Sequence, residues 1–236
     1  MLKAINITKR FGELKAVDSL SFNVQEGQIF GIAGPNGAGK STLYNLITGF
    51  YSFEGEIEFN GRNISGMPPY KISKAGIART FQIPQTFPSL SVQKGISVGS
   101  RFGAEGGLDR THVDEVIGFV GLEEDRHKKT GLLNLLGKKK LMIGAALATK
   151  PKILMLDEPM AGCNANEIRD LMDLISRINK ELGITIIIIE HFMKVLTELT
   201  ESLLIIESGR EIAQGEPSAV INDPEVIACY LGEEHA

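Results

Sequence analysis

The stretch Gly34-Pro35-Asn36-Gly37-Ala38-Gly39-Lys40-Ser41 constrains the fold more than any other part of the chain. Ahead of it, Ile29 to Ala33 is a short apolar run of strand length. Behind it, Thr42 to Thr48 reads as a helix stopped by Gly49. A strand, a glycine-rich turn and a helix start together aim backbone N–H groups and the positive end of a helix dipole at an anion. Lys40 then reaches the β- and γ-phosphates, and the Ser41 hydroxyl is a ligand for Mg²⁺. The cradle from Gly34 to Thr42 therefore implies a nucleoside triphosphate.

A second motif fits the first. Ile153-Leu154-Met155-Leu156 is a continuous apolar run, as expected of a strand buried on both faces, and it ends in Asp157-Glu158. In a phosphate-loop fold such strand ends face the nucleotide. Asp157 is expected in the Mg²⁺ shell, and Glu158 is expected to act as general base on the water that attacks the γ-phosphate.

The rest of the chain alternates strands and helices around these motifs. Leu2 to Ile7, Leu20 to Val24 and Glu54 to Phe59 read as strands, and Asn60-Gly61 is a type I′ hairpin signal. Pro68-Pro69 opens a short helix through Ala75. Val113, Val116, Ile117 and Val120 mark a helix over Thr111 to Val120. The glycines between Gly99 and Gly107 weaken the case for any regular element there. Ile168, Leu171, Met172, Ile175, Ile178 and Leu182 mark one face of a helix capped by Gly183, and Thr185 to Ile189 and Leu203 to Ile206 read as core strands. Ser208-Gly209 turns the latter into Glu211-Ile212-Ala213, and short helices follow from Pro217. The expected fold is α/β: a phosphate-loop NTPase core with a mainly parallel sheet, an N-terminal β layer and an inserted helical lobe.

Composition narrows the function classes. Net charge is −4 with acids and bases interspersed, and Trp is absent, which argues against a nucleic-acid partner. Cys163 and Cys229 are too few and too far apart for a disulfide framework, and Cys163 reads as a small apolar filler near the site. No run is long enough to span a membrane, and the first residues lack a signal-peptide pattern, so a cytoplasmic protein with at most a peripheral membrane role is expected.

Several ordered segments resemble the ATP-binding subunit of an ABC transporter, nearly end to end. Arg79-Thr80-Phe81-Gln82 resembles the family's glutamine loop, which implies that Gln82 touches Mg²⁺ or the attacking water. Ala161-Gly162-Cys163-Asn164 resembles the dimer-contacting D-loop. His191, after Ile186 to Glu190, matches the switch histidine of the γ-phosphate, and Phe11 the aromatic position that stacks on adenine; ordinary core packing is the alternative for Phe11. The resemblance implies ATP and Mg²⁺ as cofactors and a single ABC ATPase domain over 1–236. Its core would be 1–84 and 137–236, its helical lobe 85–136. The implied partners are a second ABC ATPase, as a homo- or heterodimer, and two transmembrane permease subunits docked near Gln82 and Gln85 to Val98. A solute-binding protein would act indirectly, and the chain would lie on the cytoplasmic face of the membrane. Three stretches (10–17, 77–82 and the tail 226–234) are similar to the branched-chain amino-acid importer ATPases. Urea-type importers, lipopolysaccharide exporters and a regulatory ABC protein remain alternatives.

One family motif departs from its pattern. The signature, Leu-Ser-Gly-Gly-Gln, falls at Leu133-Asn134-Leu135-Leu136-Gly137, where only the leading Leu matches. Asn134 retains the ability to cap a helix, whereas Leu135 and Leu136 put side chains where a phosphate needs bare backbone. A competent half-site around Lys40 and Glu158, paired with a degenerate reciprocal one, is the resulting expectation. Lys138-Lys139-Lys140 reads as a solvated helix face, with attraction of phosphate as the alternative.

Overall fold

The computed structural model describes residues 1–103 and 106–231. Among these the chain runs β1 (Leu2–Phe11), β2 (Leu14–Val24), β3 (Ile29–Ala33), α1 (Lys40–Ile47), β4 (Glu54–Phe59), β5 (Arg62–Asn63), α2 (Pro69–Ala75), β6 (Ile77–Arg79), α3 (Val92–Phe102) and α4 (Arg110–Phe119). It continues through α5 (Leu135–Leu147), β7 (Ile153–Asp157), α6 (Ala165–Leu182), β8 (Thr185–Ile189), α7 (Met193–Leu199), β9 (Ser202–Glu207), β10 (Arg210–Gly215), α8 (Pro217–Val220) and α9 (Pro224–Leu231). Two compact units result: Met1–Ile72 together with the chain from Thr185 onward, and Ser73–Ile184. No helix among the described residues is long and apolar enough to cross a membrane.

The first unit holds an antiparallel sheet in the order β2-β1-β4-β5. Its strands run further than the alternation predicts, because β1 and β2 pair from Leu2↔Val24 to Phe11↔Leu14 through several register shifts. Asn60 and Gly61 both take positive φ, 51° and 72°, as a type I′ turn requires, and they join β4 to β5. Strand β3 lies parallel to β8 on one side and to β9 on the other. All five residues of β3 and of β8 are buried, which explains their unbroken apolar sequence. Phe22 stacks on Phe30 at 5.6 Å between ring centroids and so packs the antiparallel layer onto β3. Helix α1 buries Leu43, Tyr44, Leu46 and Ile47, and the Tyr44 hydroxyl donates to the Ile187 carbonyl at 2.7 Å, which satisfies the polar end of that buried side chain.

The second unit pairs β6 with β7 in parallel, Ile77 opposite Ile153 and Arg79 opposite Met155. Helix α6 buries Leu171, Leu174, Ile175 and Ile178 and ends at Gly183 in the left-handed region. Leu182, expected on the buried face, is 47% exposed, since it is the last residue before the chain turns away. Helix α3 continues through Gly99 to Phe102, into the stretch where glycines weaken the case for a regular element. A Cβ on Gly99 would sit 1.9 Å from the Ala145 carbonyl oxygen of α5, so the missing side chain lets the two helices touch. Residues 104 and 105 of the glycine-rich stretch, and 232–234 of the tail that carries the resemblance, lie outside the described residues.

Candidate functional site

The phosphate loop grows directly out of β3. Gly34 has φ 149°, and a Cβ there would lie 1.9 Å from the Ile206 carbonyl oxygen, so only glycine lets the loop leave the strand so close to β9. Lys40 opens α1 and is 6% exposed, its ammonium donating to the carbonyls of Gly34 and Pro35 at 2.6 and 2.7 Å. The charge is thus held inside the cradle made by residues 34–39. Asn36, Gly37 and Ser41 are exposed, so the mouth of the loop is open.

Register then brings His191 to the same end of the sheet. Ile32 lies opposite Ile189, and the Glu190 N–H donates to the Ile32 carbonyl at 3.4 Å. The chain after β8 therefore emerges beside the chain after β3, the strand-end arrangement that collects ligand-binding residues in parallel sheets. His191 is exposed.

Phe11, at the end of β1, is 44% exposed, which sets aside the alternative that it packs the core. Tyr51 meets its ring edge-on at 5.3 Å, and Lys9 Nζ lies 5.1 Å from the Phe11 centroid. Tyr51 went unnoticed in the sequence because it sits in an irregular segment with no periodicity to mark it.

The second unit builds its own cluster by the same geometry. Parallel pairing of β6 and β7 continues as Thr80 N–H donates to the Met155 carbonyl at 2.9 Å. The segments after both strands then run side by side, and Gln82 Nε2 donates to Glu158 Oε2 at 2.5 Å. Glu158 adopts φ 46°, a left-handed backbone that costs a non-glycine residue about 1–3 kcal/mol and persists only where its surroundings hold it. Asp157 is 5% exposed, and the Arg79 guanidinium reaches its Oδ2 at 2.7 Å while lying 5.1 Å over the Phe81 ring. The sequence marks Arg79 only as part of a motif, and this buried ion pair gives it a partner. Two opposite charges at this distance offset one another's burial and hold the β6–β7 strand ends together.

At the signature position, Asn134 is the N-cap of α5 and its Oδ1 accepts from the Gly137 N–H at 2.8 Å. Leu133 is buried, and Leu135 is 37% exposed, with its Cδ2 against Gly162. Asn164 caps α6 with a reciprocal Glu167 contact, which fixes the end of the 161–164 segment; Cys163 there is half-buried rather than enclosed. Lys139 departs from the solvated face expected of the lysine run. It is 3% exposed and donates to the Pro159 carbonyl at 2.6 Å. The signal was present in the helix period, since Lys139 shares a face with buried Ile143 and Ala146.

An oxygen donor set suits Mg²⁺, a hard cation usually held by one or two carboxylates together with substrate phosphates. Ser41 in the first unit carries a hydroxyl, and Gln82 and Asp157 in the second carry an amide oxygen and a carboxylate, each a donor of the type such an ion takes.

These features define an ATP-binding cassette, and the comparisons agree: the ABC transporter family profile matches residues 17–161, and the chain belongs to that family. It is an ABC-type ATPase that binds nucleotide. Within the family it falls among the branched-chain amino-acid cassettes, whose profile, described as branched-chain amino acid ATP-binding cassette transporter, matches residues 210–236. The high-affinity branched-chain amino acid transport ATP-binding protein BraF of Pseudomonas aeruginosa is 34% identical, over 99% of this chain and 98% of the relative. LivG of Salmonella typhimurium, named for the same transport, is also 34% identical, over 98% of each chain. Among solved structures, the ADP conformation of an ATP-binding cassette of an ABC transporter superimposes with a TM-score of 0.90 at 33% identity, covering 98% of both chains. A nucleotide-free cassette from an ABC transporter gives 0.89 at 32% identity, again over 98% of both.

Proposed function

We propose that this chain is the ATP-hydrolysing subunit that powers import of branched-chain amino acids, docked on the cytoplasmic face of a membrane against two permease subunits. The full-length identity to BraF and LivG carries the solute assignment, supported by the match of the tail from residue 210. The whole chain acts as one cassette, with 1–84 and 137–236 as its core and 85–136 as the lobe that meets the permease. Phe11 stacks on adenine, and residues 34–42 cradle the phosphates with Lys40 as the charge. Ser41, Gln82 and Asp157 hold Mg²⁺. Glu158 takes a proton from the attacking water, and His191 contacts the γ-phosphate.

Catalysis further requires a partner cassette, paired head to tail, because charge on the transferring phosphoryl group must be met by donors from both sides. The carboxylate–amide pair of Glu158 and Gln82 supports a competent half-site on this chain. Leucine side chains at positions 135 and 136 support a reciprocal site that binds ATP and turns it over poorly. The test is ATP hydrolysis by the purified chain alone and then mixed with a second ATPase subunit that carries an intact signature. Slow turnover alone and a rise of at least tenfold on mixing is expected; fast, concentration-dependent turnover by the chain alone would refute the asymmetric arrangement.

A further inference from the structure

Lys139 is a buried ammonium on α5 that donates to two main-chain carbonyls, Pro159 O at 2.6 Å and Glu158 O at 3.5 Å. An ammonium has three N–H donors and no acceptor, and taking it out of water is costly unless it is well coordinated. Its burial here has a local counterpart. Glu158 holds a left-handed backbone at φ 46°, and Pro159 after it has no N–H with which to brace the turn. The Ala161 N–H reaches back to the Glu158 carbonyl at 3.2 Å, a weak closure by itself. Lys139 draws the carbonyls of residues 158 and 159 toward one point, which sets the direction in which the Glu158 Cα–Cβ bond leaves the chain. Gln82 then holds the carboxylate at the far end, at 2.5 Å.

We infer that Lys139 is a positioning residue for Glu158: its ammonium anchors the strained main chain at 158–159 to the helix that carries the signature, so that the carboxylate is aimed before nucleotide arrives. This rests on the proposed role of Glu158 as general base. A misplacement of about 1 Å at a reacting group can cost on the order of a hundredfold in rate, so the tether matters to turnover more than to affinity.

The experiment compares wild type, K139M, K139R and E158Q, each mixed with the partner ATPase, by kcat, KM and equilibrium ATP binding. Amide hydrogen exchange at Ala161 is measured on each chain alone. For K139M, kcat falls about ten- to a hundredfold, ATP affinity stays within about twofold, and Ala161 exchanges at least about tenfold faster. K139R, which keeps the charge and the donors, recovers most of kcat. The inference is overturned if K139M keeps kcat within about twofold with unchanged exchange, if it loses ATP affinity in proportion to kcat, or if K139R is as impaired as K139M. Should K139M fail to fold, K139Q, which keeps a neutral donor, is judged by the same criteria. Persisting turnover in E158Q would remove the general-base role, and the Ala161 exchange would still decide whether Lys139 braces the turn.

Discussion

Gln82 and Glu158, 76 residues apart, meet through a hydrogen bond of 2.5 Å from the amide Nε2 to the carboxylate Oε2. Neither residue belongs to a regular element, and each follows a strand of one parallel pair, β6 and β7. The contact gives the carboxylate a fixed place without enclosing it in apolar surface.

If Glu158 acts on water rather than on nucleotide, Glu158→Gln separates binding from chemistry. The isosteric amide still meets Gln82, so ATP affinity is expected within about twofold of wild type. Turnover is expected to fall by about 10²–10⁴, the usual worth of a positioned general base. Nucleotide titration and a steady-state phosphate-release assay on the assembled pair check both halves, and an equal loss in both would count against the role.

Lys40→Ala, by contrast, should weaken both ATP affinity and turnover. It removes the ammonium held at 2.6 Å from the Gly34 carbonyl within the loop. A charged hydrogen-bond partner of phosphate is worth about 1.5–3 kcal/mol, so ATP affinity is expected to weaken by about ten- to a hundredfold. Fluorescent-nucleotide titration reads this directly.

Packing of α3 on α5 gives a prediction without any link to nucleotide. Gly99→Ala puts a methyl 1.9 Å from the Ala145 carbonyl oxygen, so the helices must part. Overpacking of this kind costs about 1–3 kcal/mol. A chain of this size loses about 2–4 °C of Tm per kcal/mol, which differential scanning calorimetry resolves. A Tm unchanged from wild type would show that the helices do not approach so closely.

Asp18 supplies a pH dependence. Hydrogen bonds and charge from Lys15 and then Arg210 lower its pKa from 3.8 to about 2. The carboxylate binds fewer protons folded than unfolded, so its contribution to stability is complete above about pH 4 and is lost as pH falls toward 2. Asp18→Asn is therefore expected to be less stable than wild type at pH 7, with the gap in urea midpoint closing between pH 4 and 2. The effect should shrink in high salt because Arg210 is largely exposed. The main chain at Asp18 reaches the phosphate loop through Gly209: its N–H donates to the Gly209 carbonyl, and Gly209 N–H to the Ala38 carbonyl, bonds that the substitution leaves in place. A gap that persists unchanged at pH 2 would exclude this ion pair as its source.

Short-range pattern made the nucleotide cradle, the buried strands β3, β7 and β8 and the hairpin at Asn60-Gly61 readable before any coordinates, because each is governed by backbone conformation or by side-chain period within a few residues. The same locality made the chemistry of Lys40, Asp157 and Glu158 legible from residue type and spacing. What lay opposite each residue was not legible. Gly99 weakened the case for a regular element because α5, which needs its bareness, is far along the chain. Lys139 read as solvated because the carbonyls that draw it inward belong to a segment beyond the next strand. Asp18 and Arg210, 192 residues apart, gave no sign of one another. Sequence determined which elements form and which groups can do chemistry, since those follow from local sterics and periodicity. Tertiary structure alone decided which charges are buried and what each one holds, because burial depends on the distant segment that chain folding sets against it.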